Sequence, residues 1–195
     1  MQTRTLVVAA LVLSAAGLGL GASYLARSPQ TVAAAADLGA PFTLVDHTGA
    51  PITEAALEGQ TTLLFFGFTH CPEICPTTVY EIDGWMRALG DEAEKVDAYF
   101  VTVDPERDTP EILEDYLAYQ SPHVTGITGD PEDVWAMARS WRVYWAKGED
   151  LGGGNYNVDH TSSVYVLDAS GDLAGVIGYG EPAERALETI RRAMG

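Results

Sequence analysis

The chain has 195 residues and two cysteines, Cys71 and Cys75, in the stretch LLFFGFTHCPEICPTT from Leu63 to Thr78. Two thiols four positions apart can share one task. Their Cα atoms are within reach of the 4.4 to 6.8 Å typical of a disulfide, and their thiolates can grip one soft metal ion. The two states exclude each other, because a sulfur in a disulfide is no longer a thiolate ligand. Three chemistries follow: a structural disulfide, a dithiol that exchanges with a partner, or a metal site that opens only when reduced. Zinc ordinarily takes four ligands, which this stretch does not supply.

The flanking residues say how the thiols are held. Leu63 to Phe68 is an uninterrupted apolar run, as in a strand buried on both faces. A polar turn follows, and Pro76 is expected to open a helix to Leu89 with Val79, Ile82, Met86 and Leu89 on one stripe. Free N–H groups and the dipole at a helix start favour thiolates. Asp97 to Val103 reads as a second buried strand, ending at Asp104. Loops at the carboxyl ends of neighbouring strands share a face, so Asp104 is expected beside the thiols or at a partner-docking surface. The alternative is a loop of ion pairs and caps, with Asp108 joined to Arg107 and to the helix at Pro110.

The rest supplies a scaffold. Phe42 to Val45 and Pro51 to Thr53 flank a turn and predict a hairpin. Pro110 to Tyr119 and Asp130 to about Trp141 predict helices, with Val124 to Thr128 a strand between them. Val143 to Asp159 reads as irregular, with Gly152–Gly153–Gly154 as a flexible tip. Ser162 to Leu167 and Ala174 to Tyr179 predict a hairpin, and Pro182 to Met194 a closing helix. The expected class is α/β: a central mixed sheet with helices on both faces.

Charge excludes one class of partner. With 28 acidic against 11 basic residues the net charge is −17, a surface that repels nucleic acid. Thr5 to Leu25 carries no charge and spans roughly 31 Å as a helix, near the thickness of a bilayer core. Residues 1–25 are therefore read as an N-terminal membrane anchor, with a cleaved signal peptide as the alternative. Residues 26–40 read as a linker and 41–195 as one domain. Arg4 before the apolar run orients the domain to the extracytoplasmic, periplasmic side. A monomer is the expected state.

Three stretches, FFGFTHCPEICPTT, VTVDPERDTPEIL and VDHTSSVYVLD, occur in this order from Phe65, Val101 and Val158. In order and spacing the chain resembles the SCO/SenC family, thioredoxin-like copper proteins of cytochrome c oxidase assembly. Glu73–Ile74 between the cysteines, where Asp–Val is common, keeps charge and branching. The resemblance implies a thioredoxin-like fold with an N-terminal β-hairpin and a hairpin insertion. It also implies a copper site of Cys71, Cys75 and His160, with the His160 loop folded back beside the cysteines. Two thiolates and an imidazole suit copper(I), and copper(II) could also occupy the set.

On the residues alone, a lone histidine is by default an interior one. His70 adjoins Cys71 and is read as shaping the turn or meeting a partner. His47 and His123 carry little weight, and Met86, Met137 and Met194 read as packing. The function implied is a copper metallochaperone. It would receive copper from a donor protein and deliver it to the dinuclear copper site of cytochrome c oxidase subunit II. The alternative is a thiol–disulfide oxidoreductase that reduces the cysteines of that site before metallation, using Cys71 and Cys75 as its redox pair. A peroxide-reducing relative ranks last for want of a P-x-x-x-T-x-x-C arrangement; a copper or redox sensor is the remaining reading.

Overall fold

The computed structural model describes residues 38–195. The anchor expected in 1–25, and the linker up to residue 37, lie outside the described residues. Nine strands and four α-helices follow: β1 Thr43–Asp46, β2 Pro51–Thr53, β3 Thr61–Gly67, α1 Ile74–Leu89, β4 Val96–Thr102, α2 Pro110–Ala118, β5 Val124–Thr128, α3 Pro131–Ser140, β6 Trp145–Asp150, β7 Tyr156–His160, β8 Val164–Leu167, β9 Leu173–Ile177 and α4 Ala183–Met194. Seven strands form one mixed sheet in the order β2-β1-β5-β4-β3-β8-β9. Strands β3, β4 and β5 run parallel at its centre, and β1 and β8 close on them antiparallel.

Burial explains why the centre forms as it does. All seven residues of β3 are buried, so an unbroken apolar run, not an alternating one, is what the position demands. Strand register aligns Leu63 and Phe65 with Ala98 and Phe100, and these with Val166 and Gly126, on one face. Leu113 and Leu117 of α2 pack over Gly126, and Thr189 of α4 over Gly175. On the opposite face Tyr165 meets Phe66 and Trp141, just past α3. Helices thus cover both faces, as expected.

Two details differ from the sequence reading. Helix α1 starts at Ile74, not Pro76, because the N–H groups of a first turn are free in any case and a proline there costs no hydrogen bond. The segment read as irregular is instead largely the hairpin β6–β7, a separate two-stranded sheet. Its tip, Gly152 to Gly154, has φ of 90, 66 and 80°, a left-handed run that favours glycine.

Candidate metal centre

The carboxyl end of β3 delivers the cysteines. Gly67 ends the strand, and its lack of a side chain is required: a Cβ there would stand 2.8 Å from Phe100 Cε2 and 3.0 Å from Cys75 Sγ. The chain then turns, the Cys71 N–H donating to the Phe68 carbonyl at 3.2 Å. Cys71 precedes α1 and is half-buried, whereas Cys75 lies in its first turn and is fully buried. The Cys75 N–H donates to Cys71 Sγ at 3.4 Å, so a free helix-start amide points at the sulfur. Both cysteines are unpaired thiols.

His160 ends β7, opposite Trp145 in the hairpin register. Its Nε2 lies 3.3 Å from Cys75 Sγ, across 85 residues of sequence. Its Nδ1 lies 2.8 Å from the Thr161 carbonyl. A carbonyl only accepts, so Nδ1 carries the proton and Nε2 presents its lone pair to the sulfurs. Phe65 and Phe68 meet the imidazole edge-on, with centroids 6.2 and 5.6 Å away, and fix its plane.

The ligand atoms of Cys71, Cys75 and His160 all lie within 4.8 Å of one another, and among the described residues no fourth His, Cys, Asp or Glu joins them. An ion bonded at about 2.0 to 2.3 Å to nitrogen and sulfur needs its donors no more than about 4.6 Å apart. The set fits one small soft cation with a shift of a few tenths of an ångström. A cavity of about 370 Å³ opens over Cys71 and His160, walled by Phe68, Ile74, Tyr144 and Val158. Cys71 and His160 line this opening; Cys75 does not.

The thiols do not share charge equally. A hydrogen bond from the Cys75 thiol pulls the Cys71 pKa far below the thiol range, overcoming burial, with further donation from the backbone N–H groups of Cys75 and Glu73. The same bond, with burial, pushes Cys75 up. At neutral pH the negative charge therefore rests on the accessible sulfur.

Other residues singled out fall into place. His70 is outside the donor set: its Nδ1 lies 3.0 Å from Thr69 Oγ1 and 3.8 Å from Asp108 Oδ1. His47 Nδ1 accepts the Gly126 N–H at 2.9 Å, and His123 Nε2 lies 3.9 Å from Asp83. Met86 and Met137 are buried in the core, and Met194 packs against it. Asp104 is buried and accepts from Tyr156 Oη at 2.6 Å and Arg107 Nε at 2.5 Å.

The pairing of Asp108 with Arg107 is corrected: Arg107 belongs to Asp104, and Thr109, not Asp108, caps α2. Asp108 is fully buried and accepts from the Thr69 N–H at 3.0 Å, Thr69 Oγ1 at 2.6 Å and Thr102 Oγ1 at 2.6 Å. Burial raises its pKa against those donors. Sequence reasoning missed Asp108 and Gly67 as parts of the site. Both stand inside matched stretches, but neither type of residue ligates a soft ion, so nothing in ligand chemistry drew attention to them.

A buried strand that hands a dithiol to a helix start, with an imidazole folded back onto it, defines a thioredoxin-like dithiol–imidazole protein. The family model for SCO1/SenC matches residues 30–195, and the chain belongs to that family. The copper-bound structure of Bradyrhizobium japonicum ScoI is 40% identical, with a TM-score of 0.75, over 80% of this chain and 99% of that one. Protein SCO2, mitochondrial, of Saccharomyces cerevisiae is 36% identical over 159 residues, 80% of this chain but only 53% of the yeast protein. The mouse SCO2 homolog is 36% identical over 98% of this chain and 78% of its own length.

Proposed function

We propose that the chain is a copper metallochaperone that binds one copper ion through Cys71, Cys75 and His160. The observation that carries this is the convergence of two sulfurs and an imidazole lone pair from segments 85 residues apart, within 4.8 Å. Their softness selects copper(I) over harder cations, and among the described residues no fourth side chain completes a closed four-ligand zinc site. A copper-bound relative at 40% identity supports the same cargo. The family resemblance supports the recipient, the dinuclear copper site of cytochrome c oxidase subunit II. A domain tethered by residues 1–25 on the extracytoplasmic side would meet that site where it is assembled.

The test is a competition titration of the reduced full-length chain with copper(I) and a chelator, without oxygen. Wild type is expected to take up one equivalent tightly, and His160→Ala to bind at least about tenfold more weakly, 1.4 kcal/mol. Equal affinities would remove His160 from the site.

One observation favours a second reading, the reduction of a partner disulfide. The half-buried Cys71 carries the thiolate while the buried Cys75 keeps its proton. Cys71 would attack the partner's disulfide, forming a mixed disulfide and releasing one partner thiolate. Cys75 would then give up its proton and displace the second partner thiolate, leaving Cys71–Cys75 oxidised by two electrons. That reaction needs both cysteines and not His160, so His160→Ala separates the two readings.

A further inference from the structure

The donor set spans two bodies. The cysteines sit on the rim of the seven-stranded sheet, while His160 sits on the hairpin β6–β7, which forms its own sheet. The loop from Asp104 to Asp108 touches both. At one end Asp108 receives the N–H and hydroxyl of Thr69, two residues before Cys71. At the other, Asp104 receives the hydroxyl of Tyr156, four residues before His160. The Arg107 guanidinium lies 3.6 Å and Lys147 Nζ 3.9 Å from the centre of the Tyr156 ring. Lys147 also pairs with Glu106 at 3.1 Å, so both strands of the hairpin are tied to this loop.

The loop itself is short and cross-linked. The Asp108 N–H donates to the Asp104 carbonyl at 3.0 Å. Thr102 Oγ1 donates to Asp108 and accepts the Asp104 N–H at 2.9 Å, joining the two ends through one hydroxyl. We propose that the loop Asp104–Asp108 is a two-ended brace that sets the distance between the sulfur pair and His160 Nε2, with Tyr156 the positioning residue on the hairpin side. The proposal rests on His160 being a copper ligand. Removing the Tyr156 hydroxyl keeps the ring and its cations but cuts the tie from the hairpin to buried Asp104. The sulfurs stay in place, and the imidazole loses its preset position.

The test is a double-mutant cycle on the full chain, reading copper(I) affinity in wild type, Tyr156→Phe, His160→Ala and the double variant. Groups that orient a ligand change metal affinity by about 10- to 100-fold. Tyr156→Phe is expected to weaken binding about tenfold with His160 present and to have no effect in the His160→Ala background. In copper(II)-loaded protein it is expected to shift the thiolate charge-transfer absorption. In metal-free protein it should speed amide exchange in residues 156–160 and leave 63–67 unchanged. Lys147→Met, which removes the ammonium over the ring and its exposed pair with Glu106 but keeps the Tyr156–Asp104 bond, should act in the same direction and more weakly. An unchanged affinity in Tyr156→Phe, or an equal loss in both backgrounds, overturns the brace and leaves the site standing. An unchanged affinity in His160→Ala removes the site reading and the brace with it.

Discussion

The two halves of the donor set are held in opposite ways. The cysteine half grows from β3, a strand buried along its whole length, and Cys75 is itself part of the core. The histidine half hangs on a two-stranded hairpin whose strand β6 is exposed over its last four residues. A lone hairpin is marginal in water, so a few polar ties and buried Tyr156 and Val158 do for it what the whole core does for the cysteines. Sulfur geometry is thus a by-product of folding, while imidazole geometry depends on single contacts. The imidazole can therefore be shifted by changing contacts of the hairpin, whereas shifting the sulfurs means moving the core.

The contrast can be broken at its strong end first. Cys75→Ser removes a buried sulfur donor and should cut copper(I) affinity about thousandfold or more, about 4 kcal/mol, in the same chelator competition. Gly67→Ala places a methyl against Phe100 and Cys75. Overpacking of that kind costs about 1 to 3 kcal/mol and should show as a lower unfolding midpoint, with weakened copper binding because the sulfur must move. Amide exchange should separate the halves directly: residues 63–67 are expected to exchange only through global unfolding, and 156–160 through local opening.

Cys71 alkylation sharpens the electrostatic side. Its pKa is lowered chiefly by the Cys75 thiol, so the reactive thiolate persists as pH falls. Its rate with iodoacetamide should stay flat from about pH 8 to about pH 6. A free thiol titrating near 8.5 would slow about tenfold per unit. A rate that follows the free-thiol curve would contradict the shared-proton pair. The smallest effect is expected for Met86→Leu, a volume-conserving core change costing less than about 1.5 kcal/mol and leaving copper affinity untouched.

Much of this was legible in the sequence where hydrophobic pattern decides structure. Leu63 to Phe68 announced the central strand, and the helix stripes fell on buried positions Val79, Ile82, Met86 and Leu89. The hairpin carrying His160 was harder to see. Tyr156 and Val158 do alternate with Asn157 and Asp159, as a half-buried strand requires. But Lys147, Glu149, Asp150 and the glycine tip hide the partner strand, because β6 faces water over much of its length. The convergence of His160 on Cys75 was expected only through the family resemblance, since no local pattern encodes contact across 85 residues. The alternative reading of the 104–110 loop as ion pair and cap named the wrong members, Asp108 in place of Asp104 and Thr109, because adjacency to Arg107 and Pro110 does not tell which carboxylate meets the guanidinium. The burial of Asp108, and its bonds to Thr69 and Thr102, depend on tertiary structure.

The most direct measurement of the central claim is X-ray absorption of the copper(I)-loaded chain. Two sulfur scatterers and one nitrogen scatterer about the metal are predicted, with the nitrogen lost in His160→Ala. A copper environment of two sulfurs alone, unchanged by His160→Ala, would contradict a three-donor site and leave Cys71 and Cys75 as a dithiol in which the imidazole plays no part.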